Sequence, residues 1–141
     1  MQDGTLMLPS SEREDGEGQD AIRRHIGSDN CRLAGSILSR IGDKWSVMVV
    51  LILASGPHRF GEIKRAVHGI SQRMLTFTLR GLERDGLVTR TVFDSVPPKV
   101  VYALSPLGHS LREPVTALGK WAFSHQDEIE DARIRFDRGN G

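Results

Sequence analysis

The stretch Arg59-Phe60-Gly61-Glu62-Ile63-Lys64-Arg65-Ala66-Val67-His68-Gly69-Ile70-Ser71-Gln72-Arg73-Met74-Leu75-Thr76-Phe77-Thr78-Leu79-Arg80-Gly81-Leu82-Glu83-Arg84-Asp85-Gly86-Leu87-Val88-Thr89-Arg90 decides how this chain folds. Phe60, Ile63 and Val67 recur at spacings of three and four, which predicts a short amphipathic helix over Arg59–Val67. His68-Gly69 ends it. Ser71 then offers a side-chain oxygen to cap a second helix, Ser71–Asp85. In that helix Leu75, Leu79 and Leu82 share one face, and Gly86 follows as a stop. At about 100° per residue the opposite face holds Arg73, Phe77, Arg80 and Arg84, with Thr76 beside them. Ser71 and Gln72 stand at its N-terminal end. No acidic residue interrupts this helix before Glu83.

Working outward, Leu87–Asp94 is rich in Val, Thr and Phe and reads as a strand. Ser95-Val96-Pro97-Pro98 cannot continue a ladder, because proline has no N–H to donate. Lys99–Leu104 is the return strand. Ser105-Pro106 then places a cap before proline at a first helical position. Leu107, Leu111, Val115, Leu118 and Ala122 form one stripe with Trp121 beside it. This predicts a helix from Pro106 to about Gln126, kinked or divided by Pro114. Upstream, Leu33, Ala34, Ile37, Leu38 and Ile41 follow helical spacing over Cys31–Ile41. Asp43 is a candidate cap for Lys44–Ser55, a helix apolar nearly all round and expected at the centre of the domain. Ser55-Gly56-Pro57-His58 reads as a loop.

The fold class is therefore mainly α with a small β-hairpin (α+β): a winged helix-turn-helix with flanking helices. Residues 1–30 read as a disordered acidic N-terminal arm, since Pro9–Asp20 carries no apolar residue; Ala21–Ile26 has room for one helical turn. Residues 31–126 form the domain. Residues 127–141 read as a flexible C-terminal tail.

Composition narrows the function. The 141 residues suffice for one ordinary domain. A single cysteine, Cys31, allows no intrachain disulfide. The longest apolar run, Val47–Ala54, is far short of the roughly 20 residues a membrane span needs. No basic segment followed by an apolar stretch marks a secretory leader, so a cytoplasmic location is expected. The formal charge of +1 hides an asymmetry. Residues 31–125 hold thirteen Lys and Arg against six Asp and Glu, whereas residues 1–30 hold three against seven. A basic body between acidic flanks suits either a polyanion partner or a merely solvated surface. His25, His58, His68, His109 and His125 make no metal-ligand spacing. Neither a phosphate-binding G-x-x-x-x-G-K-[ST] loop nor a G-x-S-x-G elbow occurs. No cofactor, metal or enzymatic activity is expected.

The pattern that remains is a basic helix followed by a proline-tipped hairpin. A major groove admits one helix, and arginine can pair bidentately with guanine O6 and N7. Arg73, Arg80 and Arg84 are candidates for that work, and Gln72 for adenine. Ser71 and the free N–H groups at the helix start suit a phosphate. Thr76 suits either a base or a phosphate. Phe77, exposed by this reading, suits a thymine methyl or the covering of a neighbouring loop. Arg59, Lys64, Arg65, Arg90 and Lys99 are placed for phosphates. The alternative, a solvated basic helix beside a plain structural hairpin, uses the same residues without DNA. A protein-interaction module is a further alternative, as is a small-molecule pocket lined by Trp45, Leu118, Trp121 and Phe123.

Several linked runs carry a family resemblance. They are Ile41-Gly42-Asp43-Lys44-Trp45, Gly56-Pro57-His58-Arg59-Phe60, Gly69–Leu75, Leu79–Val88 and Val96–Gly108. In this order they resemble the HxlR family of winged-helix regulators, related to the MarR type, over about Cys31–Trp121. The resemblance implies a homodimer on an inverted-repeat operator of double-stranded DNA. It also implies dimerisation through Cys31–Ile41 and Leu107–Phe123. Several regulators of this kind sense oxidants or electrophiles with a cysteine at the start of the first helix, which makes Cys31 a candidate redox sensor. A small-molecule effector is the alternative. This chain departs from the family pattern at Arg32 (usually proline), Phe77 (often polar), Gly81 (commonly glutamate) and Val101 (often glutamate).

Overall fold

A computed structural model describes residues 18–21, 23 and 31–139. The chain divides into two compact units, Met1–Ser39 and Arg40–Gly141. In the first unit, residues 18–21 and 23 are helical; the rest of the expected disordered arm lies outside the described residues. Helix α1, Cys31–Gly42, begins there and leaves Leu33, Ile37 and Leu38 exposed.

The second unit runs α2 (Lys44–Leu53), α3 (Phe60–Ala66), α4 (Gln72–Arg84), β1 (Val88–Phe93), β2 (Lys99–Leu104), α5 (Pro106–Ser110) and α6 (Arg112–Gly139). Asp43 caps α2, its carboxylate accepting from the Ser46 N–H at 3.0 Å and from the Ser46 hydroxyl at 3.2 Å. Helix α2 contacts α3, α4, β2 and α6, as a central helix must. It is not buried all round, however. Val49, Val50 and Leu53 are sealed in, while Met48 and Leu51 face outward. A helix at the centre of one small layer has neighbours on one side only, so apolarity over its whole circumference exceeds what the core can take.

The core is continuous. Val49, Val50 and Leu53 meet Ile63, Val67 and Ile70 of the α3 region, Leu75, Leu79 and Leu82 of α4, and Leu87, Val88 and Leu104 of the hairpin base. The leucine face of α4 is thus the buried one, joined by Thr78. Burying each such leucine stabilises by roughly 1.5–3 kcal/mol. That burial fixes which side of α4 is left outside.

Helix α4 ends by a Schellman closure. Gly86 takes φ +77°, the Gly86 N–H bonds the Glu83 carbonyl at 3.0 Å and the Leu87 N–H bonds the Leu82 carbonyl at 2.9 Å. The chain reverses there directly into β1. β1 and β2 pair antiparallel from Val88↔Leu104 to Phe93↔Lys99. His58, expected in a loop, forms an added rung: its N–H and carbonyl both bond Tyr102, at 2.9 and 2.8 Å.

The C-terminal helix is divided as expected and differs from expectation in its stripe and its length. Pro114 divides it, with the break at Leu111: the proline ring excludes the carbonyl of Ser110, four residues back, from a continuous ladder. Of the predicted stripe, Val115 is buried and Leu111 packs on the core, but Leu107 and Leu118 are exposed. The flexible tail expected over residues 127–141 is corrected as well, because α6 continues through Gly139. Residues 127–138 contain neither glycine nor proline. Four of their five acids precede the arginines, the order the helix dipole favours.

Candidate nucleic-acid interface

With its leucines turned inward, α4 presents Gln72, Arg73, Thr76, Phe77, Arg80 and Arg84 to solvent. These six, with Arg40, Gly81 and Glu83, line an open hollow of about 1030 Å³. A second hollow of about 360 Å³ joins Thr76, Arg80 and Glu83 of α4 to Arg90 and Tyr102 of the hairpin. The arginine face and the wing therefore share one continuous border.

Local bonds decide what each group can still offer. Ser71 caps α4: its Oγ accepts from the Met74 N–H at 3.0 Å, leaving the hydroxyl proton free to donate. Gln72 and Arg73, the first two residues of α4, have N–H groups with no carbonyl one turn back inside the helix. Thr76 donates its hydroxyl to the Gln72 carbonyl at 2.9 Å, so toward a partner it offers a lone pair and a methyl. That removes Thr76 as a phosphate donor in this rotamer.

Arg59 precedes α3, and its backbone N–H bonds the Glu62 carboxylate at 2.9 Å. This bond, aided by the nearby charges of His58, Arg59 and Arg65, holds Glu62 below its ordinary carboxylate range. Lys64 and Arg65 lie exposed in the last turn of α3. Arg90 pairs with Tyr102, and Tyr102 with His58, so Arg59 stands one residue beyond the rung that Arg90 shares. Lys99 opens β2 opposite Phe93, with its Nζ 5.6 Å from the centre of the Phe93 ring. At the tip Val96 is fully exposed, and Ser95 Oγ donates to the Pro97 carbonyl at 2.8 Å. Arg59, Lys64, Arg65, Ser71 and Lys99 line neither hollow. Cys31 begins α1, but its side chain lies outside what the structure describes.

Sequence reasoning missed Arg40. Its Nε bonds the Asp85 carboxylate at 2.9 Å, with the guanidinium laid across Gly81. A Cβ at position 81 would overlap that guanidinium, so the glycine makes room for it. Asp85 is the C-cap of α4, and its partner 45 residues away leaves no local signal. Glu83 was also passed over, although it lines both hollows as the one carboxylate among the arginines.

Trp45 is half-buried against the core, whereas Trp121 is more than half exposed and stacks on His125 at 4.5 Å. No helix among the described residues is long and apolar enough to cross a membrane.

A capped basic helix whose apolar face is locked to the core, set beside a hairpin with cations at its edge, defines the winged helix-turn-helix class. The chain belongs to the HxlR-like helix-turn-helix family, whose model matches residues 40–130. YtfH of Escherichia coli (strain K12), described as an uncharacterized HTH-type transcriptional regulator, is 39% identical over 93 residues, 66% of this chain and 74% of that protein. The reduced form of the redox regulator HypR matches with a TM-score of 0.65 and 40% identity over 70% of this chain and 97% of HypR. The reduced form of the transcriptional regulator YodB from Bacillus subtilis matches with a TM-score of 0.57 and 35% identity, over 62% and 86% of the two chains.

Proposed function

We propose that this chain is a cytoplasmic transcriptional regulator acting as a homodimer on an inverted-repeat operator. Helix α4 enters the major groove, and the wing, residues 94–99, meets the flanking backbone. The observation that carries this reading is the division of α4 into a sealed leucine face and an exposed face of Gln72, Arg73, Thr76, Phe77, Arg80 and Arg84. Arg73, Arg80 and Arg84 supply bidentate donors for guanine, and Gln72 a donor and an acceptor for adenine. Ser71, Arg59, Lys64, Arg65, Arg90 and Lys99 position the protein on phosphates. The hairpin sets cations beside the basic helix, which a solvated structural helix has no need of.

Dimerisation is supported by apolar side chains left uncovered on each candidate helix. These are Leu33, Ile37 and Leu38 on α1, and Leu118, Trp121 and Phe123 on α6. Two copies of α4 then fall in successive major grooves, about 34 Å apart. Duplexes selected from a random pool by the full chain should carry a palindrome with that half-site spacing and bind two chains each. Selection of an asymmetric site by a single chain would refute the dimeric reading.

An oxidant signal is supported by the likeness to HypR, a redox regulator by its description. With Cys31 as the one thiol, such a signal runs through an intersubunit Cys31–Cys31 bond, a mixed disulfide with a small thiol or, for an electrophile, an alkylated adduct. Diamide should then release the selected duplex from the wild type and not from Cys31→Ser; equal release from both would remove this role. A small-molecule effector is the other source of a signal.

A further inference from the structure

We propose that Phe77 reads the 5-methyl group of a thymine, and so sets a base preference that no polar side chain of α4 supplies. The inference rests on the DNA-reading role of α4 proposed above and makes it specific.

Three observations lead there. First, Phe77 is left out of the core: it is 67% exposed, while Leu75, Thr78 and Leu79 on either side of it are sealed in. Most of the ring is thus left for a partner to cover. Second, the ring lines the same hollow as Arg73, Arg80 and Arg84. An apolar side chain amid guanidiniums faces whatever those cations face. Third, Thr76 has turned its hydroxyl proton back to the Gln72 carbonyl, so no new hydrogen-bond donor stands beside the ring. At the middle of this face the helix offers apolar carbon and a lone pair.

Among the base edges in a major groove, thymine alone presents a methyl group, and apolar side chains recognise it by contact. Spacing limits where that thymine stands. Phe77 lies four residues after Arg73 and three before Arg80, axial offsets of about 6 and 4.5 Å at 1.5 Å per residue. Stacked bases are about 3.4 Å apart. The thymine should therefore sit one or two base pairs from a guanine contacted by Arg73 or Arg80.

The test replaces each thymine of a selected duplex, one symmetric pair at a time, with deoxyuridine. This removes the methyl and keeps the pairing. Wild-type affinity should fall about fourfold per half-site at one position near a guanine, the effect of losing one buried methyl-sized group, and about 15-fold for both half-sites. Phe77→Ala should bind the parent duplex more weakly and show no further loss at that position. Phe77→Leu should keep part of the dependence. Circular dichroism of Phe77→Ala should match the wild type, since the ring is outside the core. The proposal is overturned if the wild type is indifferent to deoxyuridine at every position, or if Phe77→Ala keeps the full dependence. A chain that selects no duplex at all would instead overturn the DNA-reading role itself.

Discussion

Gly108→Ala is expected to destabilise the domain by about 3 kcal/mol, at the upper end of what overpacking usually costs. Gly108 lies in α5 where that helix crosses the start of the wing. A Cβ built on it would meet the Leu87 carbonyl oxygen within bonding range, the Leu87 carbonyl carbon at 3.0 Å and Leu104 Cδ2 at 3.1 Å. None of these can step aside cheaply. That same Leu87 carbonyl accepts from the Ser105 N–H at 3.0 Å, and Leu87 itself closes the end of α4. Ser105 Oγ also donates to Gly86, so the three turns share one set of bonds. Moving α5 outward would open them together. At roughly 4 °C per kcal/mol for a domain of this size, Tm should fall by about 12 °C. Gly81→Ala is the control. There the close neighbour is the end of the flexible Arg40 side chain. Alanine gains up to about 1 kcal/mol of helix propensity. Displacing the partly buried Arg40–Asp85 pair costs about the same. Its Tm should stay within a few degrees of the wild type. Equal losses in the two variants would mean that α5 does not approach the wing as described.

The second large effect concerns salt. Five cations per chain, Arg59, Lys64, Arg65, Arg90 and Lys99, are assigned to phosphates, hence ten in a dimer. Each neutralised phosphate releases counterions, and the slope of log affinity against log salt is about −0.9 per contact. A slope near −9 is therefore expected, with affinity falling by roughly 10⁵-fold between 50 and 200 mM salt. Lys99→Ala removes two of the ten contacts and should reduce the slope by about 2. Fluorescence-anisotropy titrations at four salt concentrations measure both. A slope shallower than about −4 would leave most of the five outside the interface.

Much of this molecule is legible in one reading of the chain, and the reason is locality. Ser71 and Gly86 mark the ends of α4 because a cap and a left-handed turn each need a particular residue type. Leu75, Leu79 and Leu82 mark its inner face because helical spacing is a property of neighbours. The arginine face follows by subtraction. What escaped depends on distant parts of the chain. The Arg40–Asp85 pair joins residues 45 positions apart. The His58 rung on Tyr102 spans 44 residues and needs no side-chain signal, since backbone groups make it. Gly108 looks like any helical glycine until Leu87 arrives beside it. Helix α2 misled in the other direction, because its spare apolar side chains Met48 and Leu51 stay partly exposed outside the core. The stretch after Gln126 misled through polarity alone; a charged run without glycine or proline sustains a helix as readily as it solvates a tail.

The central claim is that bases are read by α4 and the backbone is held by the wing. Binding of wild type, Arg73→Ala, Arg80→Ala and Lys99→Ala to a complete single-base-pair variant series of the selected duplex tests it most directly. Arg73→Ala and Arg80→Ala should each flatten the preference at one position per half-site, a loss of discrimination of about 1–3 kcal/mol. Lys99→Ala should weaken every duplex by the same factor. If Lys99→Ala changed the preferred sequence while both arginine variants kept it intact, α4 would not be the element that reads the DNA.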